Sequence, residues 1–194
     1  MPPGRHRSTA FERLEAFGVT VGMNLTGAKQ PAQRVEAGHV TPGFFTLLGV
    51  LPQIGRSFSE EENRPGRDRI VVLSDALWRN YFHAEPNILG QTVVLDGTPR
   101  TVIGVMPAGF LYPGAADAGV WLPDAVNAAG SIPRRGMGLV SVIGRLKPGV
   151  ILDEARANLE VIARRMDSQY PAPWSGYHAA ASVRAVSLRQ QLTS

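Results

Sequence analysis

The sequence contains no cysteine among its 194 residues, and this absence removes several kinds of chemistry at once. It excludes disulfide bonds, a thiolate nucleophile and a cysteine-ligated zinc site. It does not indicate a compartment, because a chain without cysteine suits an oxidising environment as well as a reducing one.

Long apolar runs are also missing. A membrane-spanning helix needs about 20 predominantly apolar residues, and charge, glycine or proline interrupts every apolar stretch before that length is reached. Residues 1–10 are polar and no apolar segment follows them, which does not match a secretory signal peptide. We therefore expect neither a membrane span nor an export signal within the sequence as given.

Residue patterns typical of catalysis or metal binding are scarce. The four histidines are scattered, and the sequence has no HExxH, Gly-x-Ser-x-Gly or phosphate-loop motif. The carboxylates of residues 60–62 and Asp68 are the best candidates for binding a divalent ion, but consecutive side chains point in different directions. A solvated, self-paired loop is the favoured interpretation. We predict no catalytic residue, no cofactor and no metal site.

The net charge of +4 comes from basic residues that mostly stand singly or in pairs. A nucleic-acid-binding protein more often carries one basic stripe interleaved with exposed aromatic residues, so we predict no nucleic-acid partner. With 44% apolar and 19% charged residues, the composition is typical of a globular fold rather than of a disordered chain.

Local patterns predict short helices and strands in the first quarter of the chain. A helix is predicted over residues 8–17, and strands over 19–25 and 33–40. Residues 41–49 are predicted as a short helix in which Thr41 is the N-cap.

The clearest local signals follow. Ile70–Leu73 is a continuous apolar run of the kind found in strands buried on both faces, and Ser74 can cap the helix that comes next. Asp96 and Gly97 lie between two apolar runs and predict a hairpin over residues 91–106, because glycine accepts the positive φ of a tight turn. A strand followed by a capped helix is half of an α/β or α+β layer unit.

The remaining segments are less regular. Residues 111–138 are rich in glycine, alanine and proline and are predicted to be a long irregular connection around the apolar island 120–122. A strand is predicted over 139–146 and a helix over 152–168, whose apolar residues recur at helical spacing. An alternating pattern predicts a closing strand over 179–188.

Several short motifs occur together in a characteristic order. They are the segments 40–50, 52–58, 71–78, 86–92, 95–107 and 144–150. The ordered set resembles the MacB-like periplasmic core domain of ABC-transporter permeases, in particular the acidobacterial-type permease group of the FtsX-like permease superfamily. The residues that carry the resemblance are expected to be structural: Pro42, Gly43, Phe44, Phe45, Gly49, Gly55, Arg56, Phe58, Ser74, Trp78, Gly90, Asp96, Gly97, Gly104, Pro107, Gly144, Arg145, Leu146, Pro148 and Gly149.

The resemblance implies an α+β fold with two lobes: a porter-like βαβ subdomain and a second, more variable mixed lobe. It assigns residues 17–190 to the core domain, with two subdomains and the irregular connection near 111–138. Residues 1–16 are then an N-terminal segment and residues 191–194 a tail.

The resemblance also implies a location and partners. In the family this domain lies at the extracytoplasmic (periplasmic) face of the inner membrane, between two transmembrane helices of its own permease. Its expected partners are those helices, a cytoplasmic nucleotide-binding ATPase acting indirectly, a second permease copy and a membrane-fusion adaptor. ATP-driven dimerisation of the nucleotide-binding domains would move the helices and open or close the paired extracytoplasmic domains.

One departure from the family pattern concerns the start of the long helix. Ile151 stands where relatives usually have serine or threonine, which removes an N-cap worth roughly 0.5–2 kcal/mol.

Three functions remain open from the sequence. The first is a non-catalytic coupling and docking element of a permease. The second is a module that binds an extracytoplasmic small molecule or lipoprotein, with Trp121 and residues 111–138 as the lip of a pocket. The third is a metal-assisted hydrolase that uses residues 60–62 and Asp68.

Overall fold

The computed structural model describes residues 9–18, 20–27, 30–112, 118–124, 140–169 and 185–188. Its strands are β1 (Phe11–Gly18), β2 (Val21–Thr26), β3 (Gln33–Val40), β4 (Ile54–Gly55), β5 (Ile70–Leu73), β6 (Thr92–Leu95), β7 (Thr98–Val105), β8 (Ala118–Pro123) and β9 (Val140–Leu146). Its helices are α1 (Phe44–Leu48), α2 (Asp75–Asn80) and α3 (Leu152–Gln169). Mixed helices and strands, with strands dominating, confirm the predicted α+β class.

The chain divides into two compact units. The first unit consists of Met1–Leu14 together with Gly144–Ser194, and the second unit of Glu15–Ile143. The boundaries fall inside β1 and β9. The predicted limits of the core domain and of its subdomains are not tested by this division and stay a prediction.

Six strands of the second unit pair in a closed ring. β3 pairs with β2 in antiparallel and with β8 in parallel, and β2 continues to the β6–β7 hairpin. The ring is completed by the parallel β7–β5 pair and the antiparallel β5–β8 pair. Phe17 of β1 pairs with Val40 of β3. Each strand of the ring is therefore hydrogen-bonded along part of both edges, which leaves little open edge on these strands.

An apolar cluster is formed by residues of this sheet and of the segments packed on it. Its buried members are Leu25, Val35, Ala37, Val71, Leu73, Leu77, Tyr81, Phe82, Ile88, Val93, Leu95, Val102, Val105, Val120 and Leu122. Strand members recur at every second position in β3, β5, β6 and β8, as expected where one strand face turns to the core. Burial of each large side chain contributes roughly 1.5–3 kcal/mol.

The structure confirms the signals around residues 70–106. β5 spans the predicted Ile70–Leu73, and the Ser74 hydroxyl accepts a hydrogen bond from the Leu77 N–H at 3.1 Å as the N-cap of α2. The hairpin turns at Asp96 and Gly97, whose φ angles are 45° and 75°. Two consecutive positive φ angles are typical of the type I′ turns that join tightly paired strands.

The helix predicted over residues 8–17 is wrong, because Phe11–Gly18 form strand β1. Both ends of this segment are held by distant backbone: the Lys147 N–H donates to the Ala10 carbonyl, and the Thr41 N–H donates to the Ala16 carbonyl, each at 3.0 Å. Pairing with distant backbone overrides the local helix preference here.

The irregular connection predicted over 111–138 is also wrong in its centre. Ala118–Pro123 form β8, which lies between β3 and β5 in the sheet, and the apolar island 120–122 is fully buried. The glycine, alanine and proline residues around the island indicated an irregular segment, although the island belongs to a short strand that is buried on both faces. Residues 113–117 and 125–138 of the predicted connection lie outside the described residues.

Thr41 is not the cap of α1. The N-cap is Gly43, with no side-chain cap hydrogen bond, while Gly49 ends the helix in the left-handed conformation at φ 75° as the sequence predicts. The Thr41 hydroxyl instead bonds to β1. Of the predicted closing strand, residues 179–184 lie outside the described residues, and residues 185–188 contain no strand.

The first unit contains the C-terminal end of β9 beside the N-terminal part of β1, followed by α3. Residues 140–146 and 152–169 confirm the predicted strand and helix within one residue at each end. Asn158 of α3 donates to the Thr9 hydroxyl at 2.7 Å, and Arg156 donates to the Ala185 carbonyl. None of the described helices combines the length and apolarity that a bilayer crossing demands.

Candidate functional site

Three of the expected motif residues lie in one cluster of aromatic rings in the second unit. Its members are Phe17, Phe44, Phe45, Phe58, Phe110, Tyr112 and Trp121. Trp121 contacts Phe45, Phe44 and Phe110, with centroid distances of 5.7 Å, 6.0 Å and 5.6 Å. Tilted and edge-to-face contacts of this kind add about 0.5–1.5 kcal/mol per pair beyond area burial. The cluster, defined by these seven rings, ties α1 to β8.

Gly38 of β3 makes room for the ring of Trp121. A Cβ atom at Gly38 would lie 2.7 Å from the Trp121 ring, and Trp121 itself is only 2% exposed. The expectation that Trp121 forms the lip of a pocket is therefore wrong, because the ring is enclosed by protein atoms and has no face open to a ligand.

Two other motif residues, Gly55 and Gly104, face each other where β4 crosses β7. They are register partners, and hydrogen bonds from Gln53 N–H to the Val105 carbonyl and from Arg56 N–H to the Ile103 carbonyl flank them. A Cβ at Gly104 would lie 2.5 Å from the Arg56 carbonyl oxygen, so the two backbones come too close for any side chain. Glycine is required at this crossing for close approach.

Asp75 joins three elements of the second unit. Its carboxylate accepts hydrogen bonds from Gln53 Nε2 at 2.7 Å and from Arg79 Nε at 2.8 Å, and Gln53 Nε2 also donates to the Met106 carbonyl. The hydrogen bond from Arg79 is the main reason that the pKa of Asp75 lies below its usual value, against the opposing effect of burial. The segment after α1, the start of α2 and the end of β7 are thereby held together.

The motif residue Arg56 forms a two-pronged ion pair with Glu62. The contacts are 2.8 Å and 2.6 Å, and the Ser59 N–H donates to the same carboxylate. The hydrogen bond from Arg56 lowers the pKa of Glu62 from 4.5 to about 2, and in turn the pKa of Arg56 is raised. Paired, planar contacts of this kind are among the more specific ion-pair geometries. This pair closes the turn that follows Phe58.

The other motif residues of the second unit hold turns and loop contacts. Trp78 donates from Nε1 to the Glu85 carbonyl, and Gly90 has a φ of 81°. Pro42 is buried next to α1, whereas Pro107 is half-buried directly after Met106.

In the first unit, Gly144 lies under two side chains of β1. A Cβ at Gly144 would be 2.5 Å from Phe11 and 2.6 Å from Leu14. Arg145 and Leu146 complete β9, and Pro148 and Gly149 form the next turn, closed by the Val150 N–H on the Lys147 carbonyl at 3.1 Å. The φ of 81° at Gly149 fits the position after proline in a type II turn.

The acidic segment forms ion pairs and turns with its own neighbours. Glu61 pairs with Arg67, and Asp68 accepts from the Gly66 N–H. Across the described ranges, no three histidine, aspartate or glutamate side chains come together in a way that could hold a metal ion. The hydrolase hypothesis therefore gains no geometric support from this segment.

The structure also brings in residues that the sequence did not single out. Glu15 and Gln53 make contacts with motif segments that are distant in the chain, and Gly38 lies against the ring of Trp121. Their partners depend on strand register and on side chains 22 or more residues away, as in the 28-residue separation between Glu15 and Gly43. Periodicity in a single sequence carries no signal for such pairs.

Curated relatives match part of this chain. The macrolide export ATP-binding/permease protein MacB of Shigella dysenteriae serotype 1 is 26% identical over 125 residues, which covers 64% of this chain and 19% of the relative. MacB of Salmonella typhi is 27% identical over 126 residues with the same coverage, and MacB of Burkholderia pseudomallei K96243 is 26% identical over 117 residues, covering 60% and 18%. The chain spans about a fifth of the length of the curated relatives it matches.

Solved structures share the fold at low sequence identity. The extracellular domain of the ABC-type transporter YknZ from Gram-positive bacteria superposes with a TM-score of 0.62 at 16% identity, covering 87% of this chain and 81% of that domain. The periplasmic region of MacB from Actinobacillus actinomycetemcomitans gives 0.61 at 16% identity, covering 84% and 69%.

The sequence model of one family covers most of the chain. The family described as MacB-like periplasmic core domain matches residues 7–162 of the 194. The match includes every motif residue predicted from the sequence. This chain therefore belongs to the MacB-like periplasmic core domain family of ABC-transporter permeases.

Proposed function

We propose that this chain acts outside the cytoplasm as the coupling domain of an ABC-transporter permease, relaying movement of membrane helices without catalysing a reaction. The observation that carries the proposal is the composition of the first unit. Met1–Leu14 and Gly144–Ser194 belong to the same compact unit, and the second unit is the excursion between them.

This arrangement suits an insertion between two consecutive membrane helices. Two helices that end at the same membrane face lead into and out of an inserted domain at neighbouring points, and a domain whose two flanks lie in one body fits that geometry. The first unit is then the part nearest the membrane helices, and it receives their displacement.

The second unit has the properties of a stiff body that can be moved as a whole. Its six-stranded ring shares hydrogen bonds around the full circuit, and the aromatic cluster packs α1 against β8. Close-packed interiors have low compressibility and therefore transmit displacement rather than absorb it.

The partners follow from this role. They are the membrane helices of the full permease, a cytoplasmic nucleotide-binding ATPase that acts through those helices, a second permease copy and a membrane-fusion adaptor. The names of the MacB relatives state macrolide export; whether this chain serves macrolides is an outcome of the test below.

The test replaces the periplasmic domain of a macrolide-exporting MacB relative with residues 1–194 of this chain. Macrolide efflux and ATPase activity are measured in cells and in proteoliposomes. The control is the same host with its own domain excised and reinserted at the same junctions. We expect efflux above that of a host lacking the domain.

Host ATPase activity and protease resistance of the inserted domain report whether the chimera folds. A chimera that folds, reaches the membrane and hydrolyses ATP but exports no substrate would count against the proposal, provided that the reinserted control exports normally.

A further inference from the structure

Two arginines lie side by side where β5 begins to pair with β7. Ile70 of β5 is the parallel register partner of Thr101 of β7, and the Thr101 N–H donates to the Arg69 carbonyl at 3.0 Å. This hydrogen bond extends the pairing by one residue, so Arg69 and Arg100 are neighbours on adjacent strands. Neighbouring strands lie about 4.8 Å apart. The two positive charges are therefore close to each other.

Both arginines continue a row of the apolar core. Two positions farther along each strand, Val71 and Val102 are register partners and belong to the buried apolar cluster. Because strand side chains alternate between faces, Arg69 and Arg100 lie on the same face as these valines, at the edge of the core. Arg100 is partly buried, whereas Arg69 is exposed. One guanidinium is therefore held at the core edge and the other is open to solvent.

Arg100 has a fixed position but few hydrogen-bond acceptors. Its Nη1 donates to the Asp68 carbonyl at 2.6 Å, while its Nε is buried and has no hydrogen-bond partner. The Asp68 carboxylate accepts a hydrogen bond from the Gly66 N–H at 3.0 Å instead. A guanidinium has five N–H donors, and a buried donor without an acceptor is unfavourable. Arg100 therefore has donors left for a further acceptor.

The two positive charges are not compensated by a paired carboxylate. Within the described ranges, no aspartate or glutamate forms an ion pair with Arg69 or Arg100. Burial is the main cause that lowers the pKa of Arg100; the charge of Asp68 opposes this effect, and the charge of Arg69 adds to it. Like charges that face each other on neighbouring strands are unfavourable. A bound anion would remove this repulsion and accept the unused hydrogen bonds.

We propose that Arg69 and Arg100 form a binding site for a phosphate group. Guanidinium groups match the oxygens of a phosphate, and two of them can hold one tetrahedral anion from two sides. A doubly charged phosphate balances both arginines, whereas a single carboxylate balances one. Free phosphate and the headgroup of a phospholipid offer the same chemistry. The site does not depend on the coupling function proposed above, because all its residues belong to the second unit.

The test titrates the isotope-labelled full chain with inorganic phosphate at constant ionic strength and follows the amide signals of Gly66, Arg69 and Thr101 by NMR. We expect saturable shifts at these amides, with half-saturation at about 1 mM or below. Arg69→Gln removes one guanidinium from an exposed position, so the fold should be kept. It should weaken phosphate binding about tenfold, the scale of one charge-assisted hydrogen bond.

Arg34→Gln is the matched control. Arg34 is also an exposed arginine of the second unit, and it lies in β3, which is not paired with β5 or β7. The substitution therefore removes the same charge at a different place. Phosphate affinity in Arg34→Gln should stay within about twofold of that of the unsubstituted chain. Amide signals away from the site report whether each variant keeps its fold.

Vesicle binding identifies the source of the phosphate group. Vesicles of phosphatidylcholine with phosphatidic acid are compared with vesicles of phosphatidylcholine alone in a co-sedimentation assay. Binding that needs phosphatidic acid and is lost in Arg69→Gln, but not in Arg34→Gln, supports the site and assigns it to a lipid headgroup. Phosphate binding without vesicle binding supports the site and assigns it to a soluble phosphate.

Two results would overturn the proposal. The first is the absence of both a saturable response to inorganic phosphate and binding to the vesicles. If the chain then binds a hexaglutamate peptide, the arginines recognise carboxylates of a protein partner instead. The second is an unchanged affinity in Arg69→Gln, or an equal loss in Arg69→Gln and Arg34→Gln, because overall positive charge would then explain the binding.

Discussion

The contact between Gly104 and the Arg56 carbonyl yields a sharp quantitative prediction. In Gly104→Ala the new methyl group would lie 2.5 Å from that oxygen, about 1 Å inside ordinary van der Waals contact. The oxygen belongs to backbone and no rotamer change can move it, so β4 must separate from β7. This shift would lengthen or break the hydrogen bonds from Gln53 N–H to the Val105 carbonyl and from Arg56 N–H to the Ile103 carbonyl.

The expected cost follows from three contributions. Overpacking of a tight contact costs about 1–3 kcal/mol, and loss of the two hydrogen bonds adds about 0.5–1.5 kcal/mol each. Alanine also lowers the conformational entropy of the unfolded chain, which stabilises the folded state by about 0.4–1 kcal/mol and offsets part of this cost. We therefore expect Gly104→Ala to lower the free energy of unfolding by about 3 kcal/mol.

Gly119→Ala is the matched control. Gly119 also lies inside a strand of the second unit, has no positive φ, and its Cβ would be 3.4 Å from Val35, which is ordinary contact. Urea unfolding of the full chain measures the free energy, and amide hydrogen exchange at Gln53 and Arg56 reports on the β4–β7 crossing itself. We expect the control to be neutral within about 0.5 kcal/mol.

Equal stability of the two variants, with unchanged protection of the Gln53 and Arg56 amides, would refute the argument. It would mean that β4 and β7 are farther apart in solution than the backbone contact requires.

Three further substitutions have defined outcomes. Ser74→Ala removes the hydroxyl that accepts from Leu77, and it should cost about 1 kcal/mol in urea unfolding. Trp121→Ala leaves a cavity in the aromatic cluster and should lower the free energy of unfolding by about 3–5 kcal/mol. An unchanged free energy of unfolding would mean that the ring is a surface group. The pKa of Glu62 is lowered to about 2, so its contribution to stability is full above its ordinary pKa of about 4.5 and is lost as pH falls towards 2. Because the Arg56 side chain is 56% exposed, solvent screening limits this contribution to about 1 kcal/mol. Stability should fall less between pH 5 and 2.5 in Glu62→Gln than in the unsubstituted chain, and parallel curves would contradict the assignment.

The sequence predicts a cap, a turn or a strand correctly where neighbouring residues alone determine it. Ser74 caps α2, Asp96 and Gly97 turn the hairpin, and Ile70–Leu73 form a strand buried on both faces. Each case depends on neighbours within about four residues, and capping, turn geometry and periodicity act over that range.

The predictions that were wrong concern segments whose structure depends on contacts with residues far away in the sequence. Residues 11–18 have the composition of a helix and become a strand because backbone near residues 41 and 147 holds them extended. Thr41 has the position and chemistry of an N-cap, but Glu15 and Ala16 take its hydroxyl. Residues 118–123 become a central strand through pairing with β3 and β5, which no local pattern of six residues reveals.

The roles of the motif residues were predicted only as structural, and the geometry now gives specific reasons for several of them. Gly55 and Gly104 permit a close backbone crossing, and Gly144 makes room for Phe11 and Leu14. Phe45 and Phe58 belong to the aromatic cluster. These reasons could not be obtained from the sequence, because each depends on which residue faces the glycine or ring from another strand.

The central claim is that this domain moves in response to ATP in the cytoplasm, and a distance measurement tests it most directly. The chain has no cysteine of its own, so Arg64→Cys, at an exposed loop position of the second unit, introduces a single labelling site in the inserted domain of each copy of a dimeric chimera built on a cysteine-free host. Double electron–electron resonance then gives the label-to-label distance without nucleotide and with ATP under conditions that block hydrolysis. The coupling account predicts two different distance distributions, and identical distributions in a chimera that still exports substrate would contradict it.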